Sequence, residues 1–187
     1  RDSSTSRGLG DVYKRQVMCA LAVAGRVAIP IPSFKAIFGI IMIAGIAFGP
    51  ESGFLVGAIS ALASNFFYSQ GPYTPWQMMA YGAGGMLAGF VFARGRLPRK
   101  PVIMGIFGFL AVTFFVGPLL DTCSVFLVMS RITLKGAMAF YISGFPVNLR
   151  QAVATAIVLL VLGKPLLEKL DRIKTKYGIL DDGGKEA

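Results

Sequence analysis

The sequence predicts an all-α polytopic membrane protein, built as a six-helix transmembrane bundle whose first helix is truncated. Of the 187 residues, 55% are hydrophobic and 15% are charged, whereas a soluble domain is usually about 45–50% apolar and about 25% charged. The stretch from Ser52 to Ala93 contains no charged residue. A helix needs about 20 apolar residues to cross the hydrocarbon core. This composition excludes a soluble enzyme, a disordered chain and a disulfide scaffold.

The first sixteen residues differ from everything that follows. They are polar and rich in Ser and Gly, and hydrophobicity begins abruptly at Val17. Residues 1–16 resemble a translated sequencing-adaptor run and are expected to be a non-native leader; a real cytoplasmic leader and a secretory signal peptide are the alternatives. Residues 17–167 are then the six-helix membrane domain, with the native start of its first helix missing. Residues 168–187 form a charged cytoplasmic tail.

Six apolar segments are predicted to be the spans. Turns with proline or glycine end the first three, a basic loop ends the fourth, and Pro118 is expected to kink the fifth. Pro75 and Pro146 suit the first turns of the fourth and sixth spans, where a missing N–H costs little. The predicted spans are residues 17–29, 34–48, 53–69, 75–93, 102–129 and 146–167.

The net charge of +10 reports orientation rather than nucleic-acid binding, because the basic residues gather at span ends. By the positive-inside rule, basic loops are cytoplasmic. Both basic groups follow even-numbered spans, so they lie on one side, and a plasma-membrane protein with a cytoplasmic C-terminus is expected. The groups are Arg94, Arg96, Arg99 and Lys100 after the fourth span, and Lys164, Lys169, Arg172, Lys174 and Lys176 at the end of the sixth.

Several kinds of chemistry are missing from the sequence. There is no His, and Cys19 and Cys123 lie in apolar stretches as expected of small buried hydrophobes, so no metal and no cofactor is expected. There is no G-x-x-x-x-G-K-[ST] run for ATP, and the Gly-rich segment 82–85 lies inside a span. No catalytic constellation is present. The chain is expected not to be an enzyme, and any energy for transport would come from a partner.

Small residues recur every four positions, a spacing that lets membrane helices approach closely. The pairs predict a compact bundle, and the first of them is also a candidate exposed stripe for docking another membrane protein. They are Ala20/Ala24, Gly45/Gly49, Gly53/Gly57 and Gly85/Gly89.

Polar side chains of the predicted spans gather in the half away from the basic loops, which indicates a cavity open to the outside. Such a cavity above a dry inner half suits solute capture better than a channel or pump. As an alternative, Arg26 and Arg150 could extend to the lipid headgroups, and the role of Asn65 could be limited to a hydrogen bond between helices. Asp121 is expected to pair with one of the two arginines or to contact ligand. The candidate binding residues in the spans are Arg26, Asn65, Trp76, Asp121, Asn148 and Arg150.

The segment from Ser69 to Trp76 contains two prolines, a glycine and the aromatic residues Tyr73 and Trp76. A rigid aromatic loop above a polar cavity predicts a lid or ligand wall suited to planar rings. An ordinary interfacial aromatic belt is the alternative.

Three features together resemble the substrate-binding S component of energy-coupling factor (ECF) transporters, most closely the cobalamin-type branch. They are the small residues Ala20 and Ala24 of the first helix, Asn65-Phe66-Phe67, and the run from Gln70 to Met78, QGPYTPWQM. The resemblance implies a subunit of an ABC importer that captures a vitamin-like substrate outside. It also implies partners: a transmembrane coupling protein, contacted by Ala20 and Ala24, and two cytoplasmic ATPases. A self-sufficient small-solute permease and a structural or assembly membrane protein remain the alternatives.

Overall fold

The computed structural model describes residues 2–27, 36–93 and 95–176, and these residues are all-helical without a strand, as predicted. The predicted loop Pro30–Ser33, Arg94 and residues 177–187 lie outside the described part. Two of the helices include a π-helical turn: the fourth continues into Gly89–Ala93, and the fifth contains Val112–Val116. The described helical rods are α1 (Asp2–Val27), α2 (Ile37–Phe48), α3 (Pro50–Tyr68), α4 (Thr74–Ala88), α5 (Pro101–Val128) and α6 (Leu134–Lys176).

Two helices are longer than predicted. Helix α1 has no proline and runs unbroken from Asp2, so the predicted leader forms helix, while its non-native origin stays a prediction. Helix α6 begins at Leu134 rather than at residue 146, because the Thr133 hydroxyl accepts a hydrogen bond from the Gly136 N–H at 3.2 Å and caps the helix. The expected first-turn position of Pro146 is therefore wrong, since Pro146 lies inside the helix.

Apolar length by itself identifies fewer spans than the sequence analysis predicted. Within residues 2–27, 36–93 and 95–176, two helices are long and apolar enough to cross a membrane, Pro101–Val128 and Leu134–Arg172. Helix α2 is apolar but has only 12 residues. The count of six membrane spans stays a prediction.

Helix α2 is the centre of the bundle. Every residue from Ile37 to Ala47 is buried, and α2 packs against α1, α3, α4 and α6. A helix that is apolar on all sides is expected in a protein core or in a membrane, and the helices packed around α2 place it in the core of the bundle. The two cysteines are also buried, as expected.

Glycines allow the backbone of α3 to contact the backbones of α2 and α4 directly. A Cβ on Gly53 would lie 2.7 Å from the carbonyl carbon of Gly85, and one on Gly57 would lie 2.5 Å from the carbonyl oxygen of Tyr81. Gly45 of α2 likewise faces the Gly85 carbonyl. The predicted small-residue packing is thus present between α2, α3 and α4.

We expect Gly85→Ala to lower the free energy of unfolding by about 1–3 kcal/mol, because the new methyl group meets rigid backbone. Its matched control is Gly84→Ala on the same helix, where the Cβ would meet only a methyl of the Val116 side chain at 2.9 Å. Both changes gain the same helix propensity, so their difference measures the clash. The measurement is thermal unfolding in detergent, and equal midpoints for the two variants would contradict the packing.

Candidate functional site

Arg26, near the end of α1, is buried, with 8% of its surface exposed. Its Nη1 donates to Ser64 Oγ and, at 3.0 Å, to Asn65 Oδ1, while Nε has no hydrogen-bond partner. The guanidinium lies 5.0 Å from the Tyr68 ring centre and 5.6 Å from that of Tyr81. Neutral dipoles and aromatic faces therefore surround this buried cation.

Asn65 joins three helices through one side-chain amide. Its oxygen accepts from Arg26 of α1, and its Nδ2 donates to Gln77 Oε1 at 2.9 Å and to Thr74 Oγ1 at 3.2 Å on α4. Asn65 is almost completely buried, so an unpaired amide would be costly there. We call Arg26, Ser64, Asn65, Thr74 and Gln77 the Arg26 cluster.

The loop between α3 and α4 is tied back onto itself. The Tyr73 hydroxyl donates to the Ser69 carbonyl at 2.7 Å, and Thr74 Oγ1 donates to Gln70 Oε1 at 3.0 Å. Ser69 has a φ of 146°, a backbone conformation that residues other than glycine rarely adopt. Tyr73 thus holds the loop at the edge of the Arg26 cluster, and a part in ligand binding stays a prediction.

Trp76 connects α4 to α5. Its indole Nε1 donates to the Leu119 carbonyl at 2.6 Å, and its ring lies 6.0 Å from that of Phe126. Because Gln77, the next residue, belongs to the Arg26 cluster, Trp76 brings this part of α5 beside the cluster.

Asp121 and Asn148 form a second polar group between α5 and α6. Asn148 Nδ2 donates to Asp121 Oδ2 at 2.7 Å. A Cβ on Gly144 would lie 2.7 Å from Asp121 Cγ, and one on Gly117 would lie 2.6 Å from Asn148 Cγ. Two glycines therefore leave the space that this pair, the Asp121 pair, occupies.

The expected ion pair of Asp121 with Arg26 or Arg150 is not formed among the described side chains. Arg26 is held on the α1–α3 side of the bundle by Ser64 and Asn65. Arg150 is exposed, and its Nε donates to the Pro146 carbonyl of its own helix at 3.3 Å. Each arginine is thus bound elsewhere, whereas a role for Asp121 in ligand contact stays open.

Five of the seven predicted binding residues lie at one end of the bundle, Tyr73 lies in the loop at its edge, and Arg150 stays apart. The Arg26 cluster also contains Ser64, Thr74 and Gln77, which are not among the candidate binding residues of the sequence analysis, and the ring of Tyr81 lies beside it. The sequence contains one signal that could have identified Tyr81: it follows Gln77 by four positions, so the two residues share a helix face. The five at this end are Arg26, Asn65, Trp76, Asp121 and Asn148.

The rest of the described surface adds two facts. Ala20 and Ala24 are exposed on α1, as the docking hypothesis requires. No group of three or more Cys, Asp or Glu residues that could hold a metal occurs among the side chains that the structure describes.

The structure is thus an apolar helical bundle that carries two polar groups towards one end, the buried Arg26 cluster and the half-buried Asp121 pair. Residues 15–168 match the family described as "ECF-type riboflavin transporter, S component". The match covers most of the chain, and the chain therefore belongs to this family of membrane-embedded transporter subunits, which are not enzymes. Comparisons with curated proteins and with solved structures gave no match. The expected cobalamin-type branch has no support from this match to a riboflavin family.

We expect Asn65→Ala to destabilise the protein by about 2–3 kcal/mol, because it removes three hydrogen bonds and leaves Arg26 less well paired. The control is Ser143→Ala, since Ser143 is exposed and its hydroxyl donates only to the Phe140 carbonyl of its own helix. Thermal or denaturant unfolding in detergent provides the measurement. A loss for Asn65→Ala no larger than that of the control would show that the cluster does not hold α1, α3 and α4 together.

Proposed function

We propose that this chain is the substrate-capture subunit of an ECF-type ABC importer and that it binds riboflavin from the extracellular side. The match of residues 15–168 to the riboflavin transporter S component family is the observation that carries the choice of substrate. Geometry supports capture: buried donors and acceptors are concentrated at one end of the bundle, beside aromatic rings.

The chemistry of these clusters fits a flavin. Riboflavin combines a flat three-ring system with a chain of hydroxyl groups, so it needs aromatic faces and several hydrogen-bonding groups. Trp76 and Tyr68 supply aromatic surface, which suits planar ligands. The Arg26 cluster and the Asp121 pair supply donors and acceptors that orient a ligand.

The distribution of charge supports this direction of capture. Arg99 Nη1 lies 3.6 Å from Asp171 Oδ2, so the loop after α4 and the C-terminal part of α6 lie at the same end of the bundle. Both segments are rich in Lys and Arg, which favours the cytoplasm for that end. Six spans with a cytoplasmic C-terminus would then place the two polar clusters, at the other end, outside.

The import step would need partners. The sequence has no ATP-binding P-loop, so hydrolysis would come from two cytoplasmic ATPases acting through a transmembrane coupling protein. The exposed Ala20 and Ala24 lie four residues apart on α1 and would let a partner helix approach closely. ATP hydrolysis would then topple the loaded subunit and bring its ligand to the cytoplasmic side.

Riboflavin binding is the first test. We expect the purified full-length protein to quench riboflavin fluorescence saturably and cobalamin not to compete. Asp121→Ala is expected to weaken binding about 10- to 100-fold, since a buried charge-assisted hydrogen bond to ligand contributes about 1.5–3 kcal/mol. Arg150→Ala serves as the control and is expected to change affinity less than about threefold, because Arg150 is exposed and bonded to its own helix.

The absence of saturable riboflavin binding would overturn the proposal. Tight cobalamin binding in its place would restore the branch that the sequence resemblance implied. Riboflavin binding with equal losses for the Asp121 and Arg150 variants would keep the capture function but remove the Asp121 pair from the site.

Coupling can be tested separately from binding. We expect Ala20→Trp and Ala24→Trp to leave riboflavin affinity within about twofold, yet to abolish co-purification with the coupling protein and ATP-dependent uptake into vesicles, because a bulky side chain prevents close helix approach. The control is Ile157→Trp, at an exposed position on α6. Uptake by the subunit alone, without its partners, would favour the self-sufficient permease.

A further inference from the structure

Two buried polar atoms between α5 and α6 are not used by the clusters described above. Thr113 is 5% exposed, and its Oγ1 has no hydrogen-bond partner in the structure. The same holds for the buried Oε1 of Gln151. A buried polar group without a partner is unfavourable, so a ligand that pairs both atoms would remove that penalty.

Neighbouring contacts place these two residues at one level of the α5–α6 interface. Gly117 packs on Asn148, and Gly108 packs on Thr155, with a Cβ on Gly108 only 3.1 Å from Thr155 Cγ2. Thr113 lies between the two glycines along α5, and Gln151 lies between the two partners along α6. Residues three or four positions apart share a helix face, so both belong to this interface, about one turn deeper than Asn148 and about two turns deeper than Asp121.

The free hydroxyl of Thr113 has a local cause. Thr122 and Thr155, in regular helix, donate to carbonyls four residues earlier, at 2.7 and 2.8 Å. Thr113 instead lies in the π-helical turn Val112–Val116, and its hydroxyl makes no such bond. Such turns occur often at functional sites. The backbone of α5 thus keeps one hydroxyl available at this depth.

We infer that Thr113 and Gln151 form an inner subsite that binds the imide edge of the flavin ring, an inference that rests on the proposed function. The Thr113 hydroxyl donates to a ring carbonyl, and Gln151 Oε1 accepts from the ring N–H. The edge of the flavin pyrimidine ring presents these two groups side by side, so one donor and one acceptor match it.

The hydroxylated chain of the ligand fits this depth less well. It carries several hydroxyl groups and needs several partners, which the Arg26 cluster and the Asp121 pair supply nearer the outer end. The chain neighbours of Thr113 and Gln151, Val112 and Ala152, are buried apolar residues, which is the kind of residue that suits the faces of a ring. The flavin would therefore enter ring first.

The test compares riboflavin with N3-methylriboflavin, which lacks the ring N–H, on the full-length protein. We expect Thr113→Val and Gln151→Met each to weaken riboflavin binding about tenfold, as expected when a site loses one hydrogen bond to its ligand. N3-methylriboflavin should bind the unaltered protein about tenfold more weakly than riboflavin, but Gln151→Met should bind the two equally, since both changes remove the same bond.

Stability separates a ligand site from a structural role. Thr113→Val should leave the thermal midpoint of the ligand-free protein unchanged or raised, because it removes an unpaired buried hydroxyl. The control is Thr155→Val, whose hydroxyl already has a partner, and its riboflavin affinity should stay within about twofold.

Several outcomes would overturn the inner subsite. One is that both subsite variants bind riboflavin within twofold of the unaltered protein. A second is that Thr155→Val loses as much riboflavin affinity as they do. A third is that Thr113→Val lowers the thermal midpoint of the ligand-free protein but leaves its affinity unchanged, which would indicate a structural water instead. Riboflavin binding with any of these results leaves the capture function intact. Failure of the unaltered protein to bind riboflavin overturns the capture function and the subsite together.

Discussion

The backbone contact of α3 with α4 sets the geometry on which the polar clusters depend. Gly53 meets Gly85, and Gly57 meets Tyr81, one turn further along each helix. The same antiparallel register, continued for two more turns of α3 and of α4, brings Asn65 beside Thr74, to which its Nδ2 donates. Side chains larger than hydrogen at these glycines would separate the helices, and the amide contacts that hold Arg26 would be lost with them. Packing in the apolar half thus positions the polar half.

The polar end of the bundle also holds two charged side chains, Arg26 and Asp121, in largely apolar surroundings. Arg26 is not paired with a carboxylate among the described residues but rests on a hydroxyl, an amide and two aromatic rings. Asp121 is held by one amide, in space left by two glycines. Because neither charge is neutralised by the other, both keep bonding capacity for a bound molecule.

Much of the site could be foreseen from residue type alone. Arg26, Asn65, Trp76, Asp121 and Asn148 are conspicuous because polar side chains are rare and costly in apolar spans. Their pairing could not be foreseen, since it depends on helix rotation and register, and the expected Asp121–arginine ion pair was wrong for this reason. Thr113 and Gln151 could not be identified from the sequence, because threonine and glutamine are common in helices and only the structure shows whether they have hydrogen-bond partners.

By itself, the sequence determined the all-helical class, the apolar core, the glycines where helices approach closely and the polar residues that belong to one end. These depend on composition and spacing along the chain, which a single sequence displays. Tertiary structure alone decided that α6 runs on from Leu134 past Pro146, that α2 lies at the centre, and which polar groups meet. The central position of α2 and the pairing of the polar groups come from contacts between distant segments, and packing of α6 against α5 outweighs the local signal of Pro146.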